Sequence, residues 1–156
     1  MYNETELKLT ENQDFMFYLI PTYDCNLRCT YCFVPKYGWY KINTDTLEAV
    51  VQFLNKFIDS RKIRIGVLWW EPFLYKKLLV DTIEYLSTNI NHSNLDFYIS
   101  TNWILVDEET LEWLKNVKHN VEVAFSLDWD PDTINRNRTQ KKDMNLSKLV
   151  ISKYLL

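Results

Sequence analysis

Four short apolar runs alternate with four amphipathic ones along this chain, and that order restricts the fold more than any other feature. Phe15–Pro21, Lys62–Leu68, Leu95–Thr101 and Val121–Leu127 have the length and patterning of strands. Between the first two, Leu47, Val50, Val51, Leu54 and Ile58 recur at helical spacing behind Thr44 or Asp45, both good caps. Leu78, Leu79, Ile83 and Leu86 mark a second helix. Asp107 caps a third, with Glu108 and Glu109 well placed in its first turn. Leu146, Leu149, Val150 and Tyr154 mark a last helix, and the polar stretch Asp130–Asn145 before it reads as a loop. The alternation predicts an α/β fold with a parallel sheet and right-handed crossovers.

Such sheets bind ligands beyond the carboxyl ends of their strands. Four segments fall there: Thr22-Tyr23-Asp24-Cys25, Trp69-Trp70-Glu71-Pro72, Asn102-Trp103 and Ser126-Leu127-Asp128-Trp129. The chemically suggestive residues therefore share one end of the sheet. The polar residues 1–14 read as a lead-in, and residues 15–156 as one core domain.

Composition narrows the function. A net charge of −3 over 156 residues gives no footprint for nucleic acid. No apolar run nears the roughly 20 residues that cross a membrane, and Phe15–Ile20 lacks the flanks of a secretory signal. The three cysteines are odd in number and crowded into positions 25–32, which favours metal over disulfides and implies a reducing, cytoplasmic setting.

Cys25, Cys29 and Cys32 form C-x3-C-x2-C. Closed zinc sites take four ligands, and His92 and His119 belong to peripheral segments or the opposite side. Three thiolates suit a cluster with one iron left open. Zinc completed by a partner is the alternative.

The octapeptide Cys25-Asn26-Leu27-Arg28-Cys29-Thr30-Tyr31-Cys32 resembles the cluster loop of the radical S-adenosylmethionine enzymes. Trp69-Trp70-Glu71-Pro72, Thr101-Asn102-Trp103, Ser126-Leu127-Asp128-Trp129 and Arg136-Asn137-Arg138 resemble, in order, later motifs of its peptide-modifying branch, the anaerobic sulfatase-maturing type. The resemblance implies a partial TIM-type (βα) barrel, of which this chain carries about four βα units of an expected six and stops within a helix as a C-terminally truncated fragment. It implies a 4Fe–4S cluster on Cys25, Cys29 and Cys32. It implies S-adenosylmethionine against Tyr31, Trp69, Trp70, Glu71, Ser126 and Arg138. The cofactors would yield a 5′-deoxyadenosyl radical that abstracts hydrogen from a peptide or protein substrate. An electron donor such as ferredoxin or flavodoxin is expected. A decayed iron–sulfur or zinc domain, acting as a binding module, is the competing reading.

One departure recurs. Family glycines are tryptophan at Trp69, Trp70, Trp103 and Trp129, and Trp39 occupies a loop where glycine would be ordinary. The chain has 2 glycines and 6 tryptophans. Indoles in a cofactor loop should block or reshape it. UGA is read as glycine in some bacterial lineages, so these five positions are expected to be recoded glycines, with UGG encoding only Trp113, which lies in a helical run.

Overall fold

The structure, a computed structural model, describes residues 14–33, 40–57, 62–68, 70–128, 130–139 and 148. Strands β1 (Phe15–Leu19), β2 (Ile63–Val67), β3 (Leu95–Thr101) and β4 (Asn120–Phe125) form one sheet in the order β1-β2-β3-β4. Every neighbouring pair is parallel, with Phe17, Ile65, Phe97 and Val121 in one row. Helices α1 (Thr44–Phe57), α2 (Lys76–Asn89) and α3 (Glu108–Asn116) connect successive strands, and a 3₁₀ turn (Pro72–Tyr75) leads into α2. This is the predicted α/β arrangement, four units of a TIM-like barrel wall.

Alternation along the strands decides what is buried. Ile65, Val67, Phe97 and Ile99 are wholly buried and share one core with Leu54 of α1 and Ile83 of α2. The other face is more polar, and there Arg64 pairs with Glu122 at 3.4 Å across the strands. Gly66 lies on this face beneath the Tyr18 ring, whose Cδ1 would stand 2.7 Å from an added Cβ. A side chain at 66 would push the exposed Tyr18 ring aside, so glycine is what lets the ring lie close against β2.

Several boundaries differ from expectation. The cap of α1 is Asn43, whose Oδ1 accepts the Thr46 N–H at 2.9 Å, one residue before Thr44. Strand β1 stops at Leu19, ahead of Pro21, and β4 stops at Phe125, leaving Ser126–Asp128 outside the ladder. Within the expected loop 130–145 there is a helix, α4 (Pro131–Asn137). Asp130 caps it by accepting the N–H groups of Asp132 and Thr133, each at 3.0 Å. The signal was an Asp–Pro pair, with proline at the first helical position; the surrounding polar residues masked it. Of the expected last helix 146–154, Lys148 alone is described, in helical conformation; the rest, and the lead-in 1–13, lie outside the described residues. No helix among the described residues is long and apolar enough to cross a membrane.

Candidate active site

The cysteine loop leaves β1 and is built by its own short side chains. Thr22 Oγ1 accepts the Asp24 N–H at 3.1 Å, and Asp24 Oδ1 accepts the Cys25 N–H at 2.9 Å. Tyr75, from the turn after β2, donates to Asp24 Oδ2 at 2.9 Å. Arg28 folds back and donates to the carbonyls of Cys25 and Leu27 at 2.6 and 2.8 Å. These bonds hold in place a loop that lies outside the four-stranded sheet.

A second support comes from α4. The Arg28 N–H donates to Thr139 O at 2.7 Å, and the Thr30 N–H to Asn137 O at 2.8 Å. Leu27 packs in a small separate core with Ile104 and Ile134, against which Cys25 and Cys29 lie. The helix that the sequence reading missed is therefore what braces the cysteine loop.

Cys25, Cys29 and Cys32 all line one cavity of about 280 Å³ at the carboxyl end of the sheet. Tyr31, Trp70, Asn102, Ser126 and Arg138 complete much of its wall. None of the three cysteines is in a disulfide; Cys25 and Cys29 are half-buried and Cys32 is exposed. The Leu27 N–H stands 3.4 Å from Cys25 Sγ, a donor suited to a thiolate. Asn26 Nδ2, on the adjacent residue, is buried with no hydrogen-bond partner. Among the described residues, no three of His, Cys, Asp and Glu are grouped to hold a single ion. Three thiols lining one cavity, with a spare donor beside them, are a donor set that suits a sulfur-ligated metal centre.

The expected site residues that the structure describes each have a definite place. Glu71 is fully buried and stands behind the cavity wall. Its Oε1 accepts from Thr101 Oγ1 at 2.8 Å and the Phe73 N–H at 3.1 Å, and its Oε2 from the Asn102 N–H at 2.8 Å. Burial pushes its carboxyl up to about 7, against the pull of those three bonds. Glu71 therefore ties the loop after β2 to the loop after β3. Ser126 is on the wall, and its N–H is tied to Thr101 O at 2.9 Å.

Arg138 is on the wall but already engaged. Its Nε and Nη2 donate to the Asp128 carboxylate at 2.8 and 3.0 Å. That bond holds the Asp128 carboxyl below its ordinary range. Tyr31 donates to the same carboxylate at 3.3 Å, and burial first, with Cys29 and Asp128 adding, pushes its phenol up to about 12 despite Arg138. Asp128 thus organises two of the residues expected to meet the cofactor, Tyr31 and Arg138.

Trp70 and Trp103 are, among the described residues, the two non-glycines with positive φ, at 59° and 66°. Trp70 rests against Tyr23 with ring centres 4.5 Å apart, and Trp103 against Phe125 at 5.4 Å. The backbone at both positions has the conformation that glycine adopts freely and other residues rarely do. Trp39, Trp69 and Trp129 lie outside the described residues.

A parallel βα sheet with three thiols converging on a cavity at its carboxyl end defines a class of cluster-dependent α/β proteins. The model of the radical SAM superfamily matches residues 19–148, and the chain belongs to that superfamily. Its members use a 4Fe–4S cluster and S-adenosylmethionine. The fold is similar to anSMEcpe, an anaerobic sulfatase-maturing enzyme, in a structure with bound AdoMet and the Kp18Cys peptide. That match has a TM-score of 0.76 at 23% identity over 92% of this chain and 40% of the other. A structure of the same enzyme with AdoMet alone matches at TM-score 0.75 and 22% identity, over 90% of this chain and 40% of that one. An uncharacterized protein of Methanocaldococcus jannaschii is 26% identical over 104 residues, which is 67% of this chain and 35% of the relative. The chain thus spans well under half the length of these relatives.

Proposed function

We propose that this chain forms the cofactor-binding part of a radical SAM enzyme acting on a peptide or protein. One observation carries the reading: three cysteine thiols, Ser126 and Arg138 share a single cavity at the carboxyl end of a parallel sheet. Cys25, Cys29 and Cys32 would hold the cluster, and Tyr31, Trp70, Ser126 and Arg138 would face S-adenosylmethionine. Trp69 precedes Glu71 in the same motif and is assigned with it; the bonds of Glu71 make it a strut beneath that surface. With both cofactors bound, the site would supply a 5′-deoxyadenosyl radical for hydrogen abstraction. The residues themselves orient and shield: α4 braces the cysteine loop, and the Asp128–Arg138 pair fixes the far wall. The similarity to a peptide-bound sulfatase-maturing enzyme supports a peptide substrate. A ferredoxin- or flavodoxin-type donor would reduce the cluster, and three cysteines outside any disulfide suit a reducing cytoplasm. Residues 15–156 form the core domain in this reading, with 1–14 as lead-in.

The wall position of Trp70 favours a second reading for the chain as written. A 280 Å³ cavity is below the roughly 300–1,000 Å³ of small-molecule sites, before a cluster is placed in it. With indoles at 70 and 103 the domain would bind a cluster without turning over. We take both positions to be glycine in the working protein, consistent with their positive φ.

Anaerobic reconstitution with iron and sulfide tests the proposal. Cluster absorption that is lost in Cys25→Ala, and 5′-deoxyadenosine formation by the full-length protein with glycine at 69, 70, 103 and 129, are the expected results. Cluster uptake without deoxyadenosine in that glycine form would leave the binding-module reading standing.

A further inference from the structure

Asn102 is the point at which three loops of the site meet. Its backbone N–H donates to Glu71 Oε2 at 2.8 Å. Its Oδ1 accepts the Ile104 N–H at 3.1 Å. That bond settles which end of the amide is oxygen, so Nδ2 is the end turned to the cysteine loop. Nδ2 donates to Asn26 Oδ1 at 2.8 Å and stands 4.0 Å from Cys25 Sγ. Asn102 is 7% exposed, so water competes little for either hydrogen. With its Oδ1 held by Asn102, Asn26 keeps a buried Nδ2 that lacks a partner. An unmet buried donor of this kind is costly, and it lies beside the first cysteine of the loop.

We infer that Asn102 is a positioning residue for Cys25: its amide holds the cysteine loop against the end of β3 and offers an N–H to the Cys25 sulfur. The inference rests on the cluster reading above. Reduction adds negative charge to a cluster and its sulfurs, and a nearby N–H stabilises that charge. Hydrogen bonds to ligand sulfur therefore raise the reduction potential. The Leu27 N–H at 3.4 Å acts on the same sulfur but belongs to the backbone. Asn102 is the contribution that a side-chain substitution can remove.

The test is a redox titration of the reconstituted full-length protein, followed by electron paramagnetic resonance, with iron and sulfide content measured in parallel. Asn102→Ala removes both amide hydrogens. It should load iron as the parent does while its cluster becomes harder to reduce. The expected change is about threefold to tenfold in the one-electron equilibrium, or about 30–60 mV to the negative side. Asn102→Asp keeps an acceptor for the Ile104 N–H, loses the donor and adds charge, and should fall further. An unchanged or raised potential in either loaded variant would overturn the inference. So would failure of both variants to load iron while the parent loads, because a residue needed merely to build the loop is structural. If the parent itself takes up no cluster, the cluster reading fails and this inference falls with it.

Discussion

Replacing Trp70 and Trp103 by alanine and by glycine gives the sharpest test of what these positions are. A residue other than glycine at φ near 60° carries on the order of 1–3 kcal/mol of backbone strain. Glycine removes that strain, loses roughly 0.5–1 kcal/mol through unfolded-state entropy, and gives up the contacts of a half-buried indole. Half of an indole's roughly 150–250 Å², at about 25 cal/mol per Å², is about 2–3 kcal/mol. Strain relief offsets only part of the roughly 2.5–4 kcal/mol lost, so Trp→Gly should destabilise by about 1 kcal/mol. Alanine loses the same burial and keeps the strain, so at 70 and 103 glycine should be the more stable of the two by about 1 kcal/mol. At Trp113, inside α3, the order should reverse, with alanine better by about 1 kcal/mol. Urea unfolding followed by circular dichroism measures all six variants. Alanine equal to or better than glycine at 70 and 103 would refute the backbone argument. The gene is the parallel check: UGA is expected at both codons and UGG at 113, and UGG at 70 and 103 would remove the recoding explanation.

Glu71→Ala strands the Phe73 and Asn102 N–H groups and the Thr101 hydroxyl, and should destabilise by several kcal/mol, at about 1–3 kcal/mol per unmet group. Because the folded carboxyl is raised from 4.5 to about 7, its contribution is greatest below the lower value and is lost as pH rises through the upper one. Glu71→Gln should flatten stability across that window, as read by thermal melts at several pH values. For Asp128 the sign is opposite: its folded carboxyl is lowered, chiefly by the Arg138 bond, so its contribution is present at neutral pH and lost on acidification. Asp128→Ala leaves a buried guanidinium unpaired and should cost about 3–5 kcal/mol in chemical denaturation. Leu27→Ala opens the small core behind the cysteines, at about 2–5 kcal/mol, and should lower iron retention more than Leu54→Ala does under the same dilution.

Much of this protein could be read in one dimension because its signals are local. Period-two and period-3.6 patterns placed the four strands and the first two helices, the Asp107 cap placed the third, and parallel order followed from their alternation. The cysteine spacing and the four loop motifs marked the end of the sheet where the cavity lies. The tryptophans stood out as residues foreign to their loops, and the backbone at 70 and 103 has the conformation of the residue they displace. What the sequence could not supply were pairings between segments far apart in the chain. Nothing in the polar run 130–145 tells that Asn137 and Thr139 hold Arg28 and Thr30, a contact that exists because the sheet brings both to one end. Nor does spacing tell that Thr101 and Asn102 hold the buried Glu71 carboxylate, or that Asp128 pairs with Arg138. A residue type and its spacing determine which chemistry is available. Which of its bonds are already taken is decided by neighbours that only the closed fold delivers.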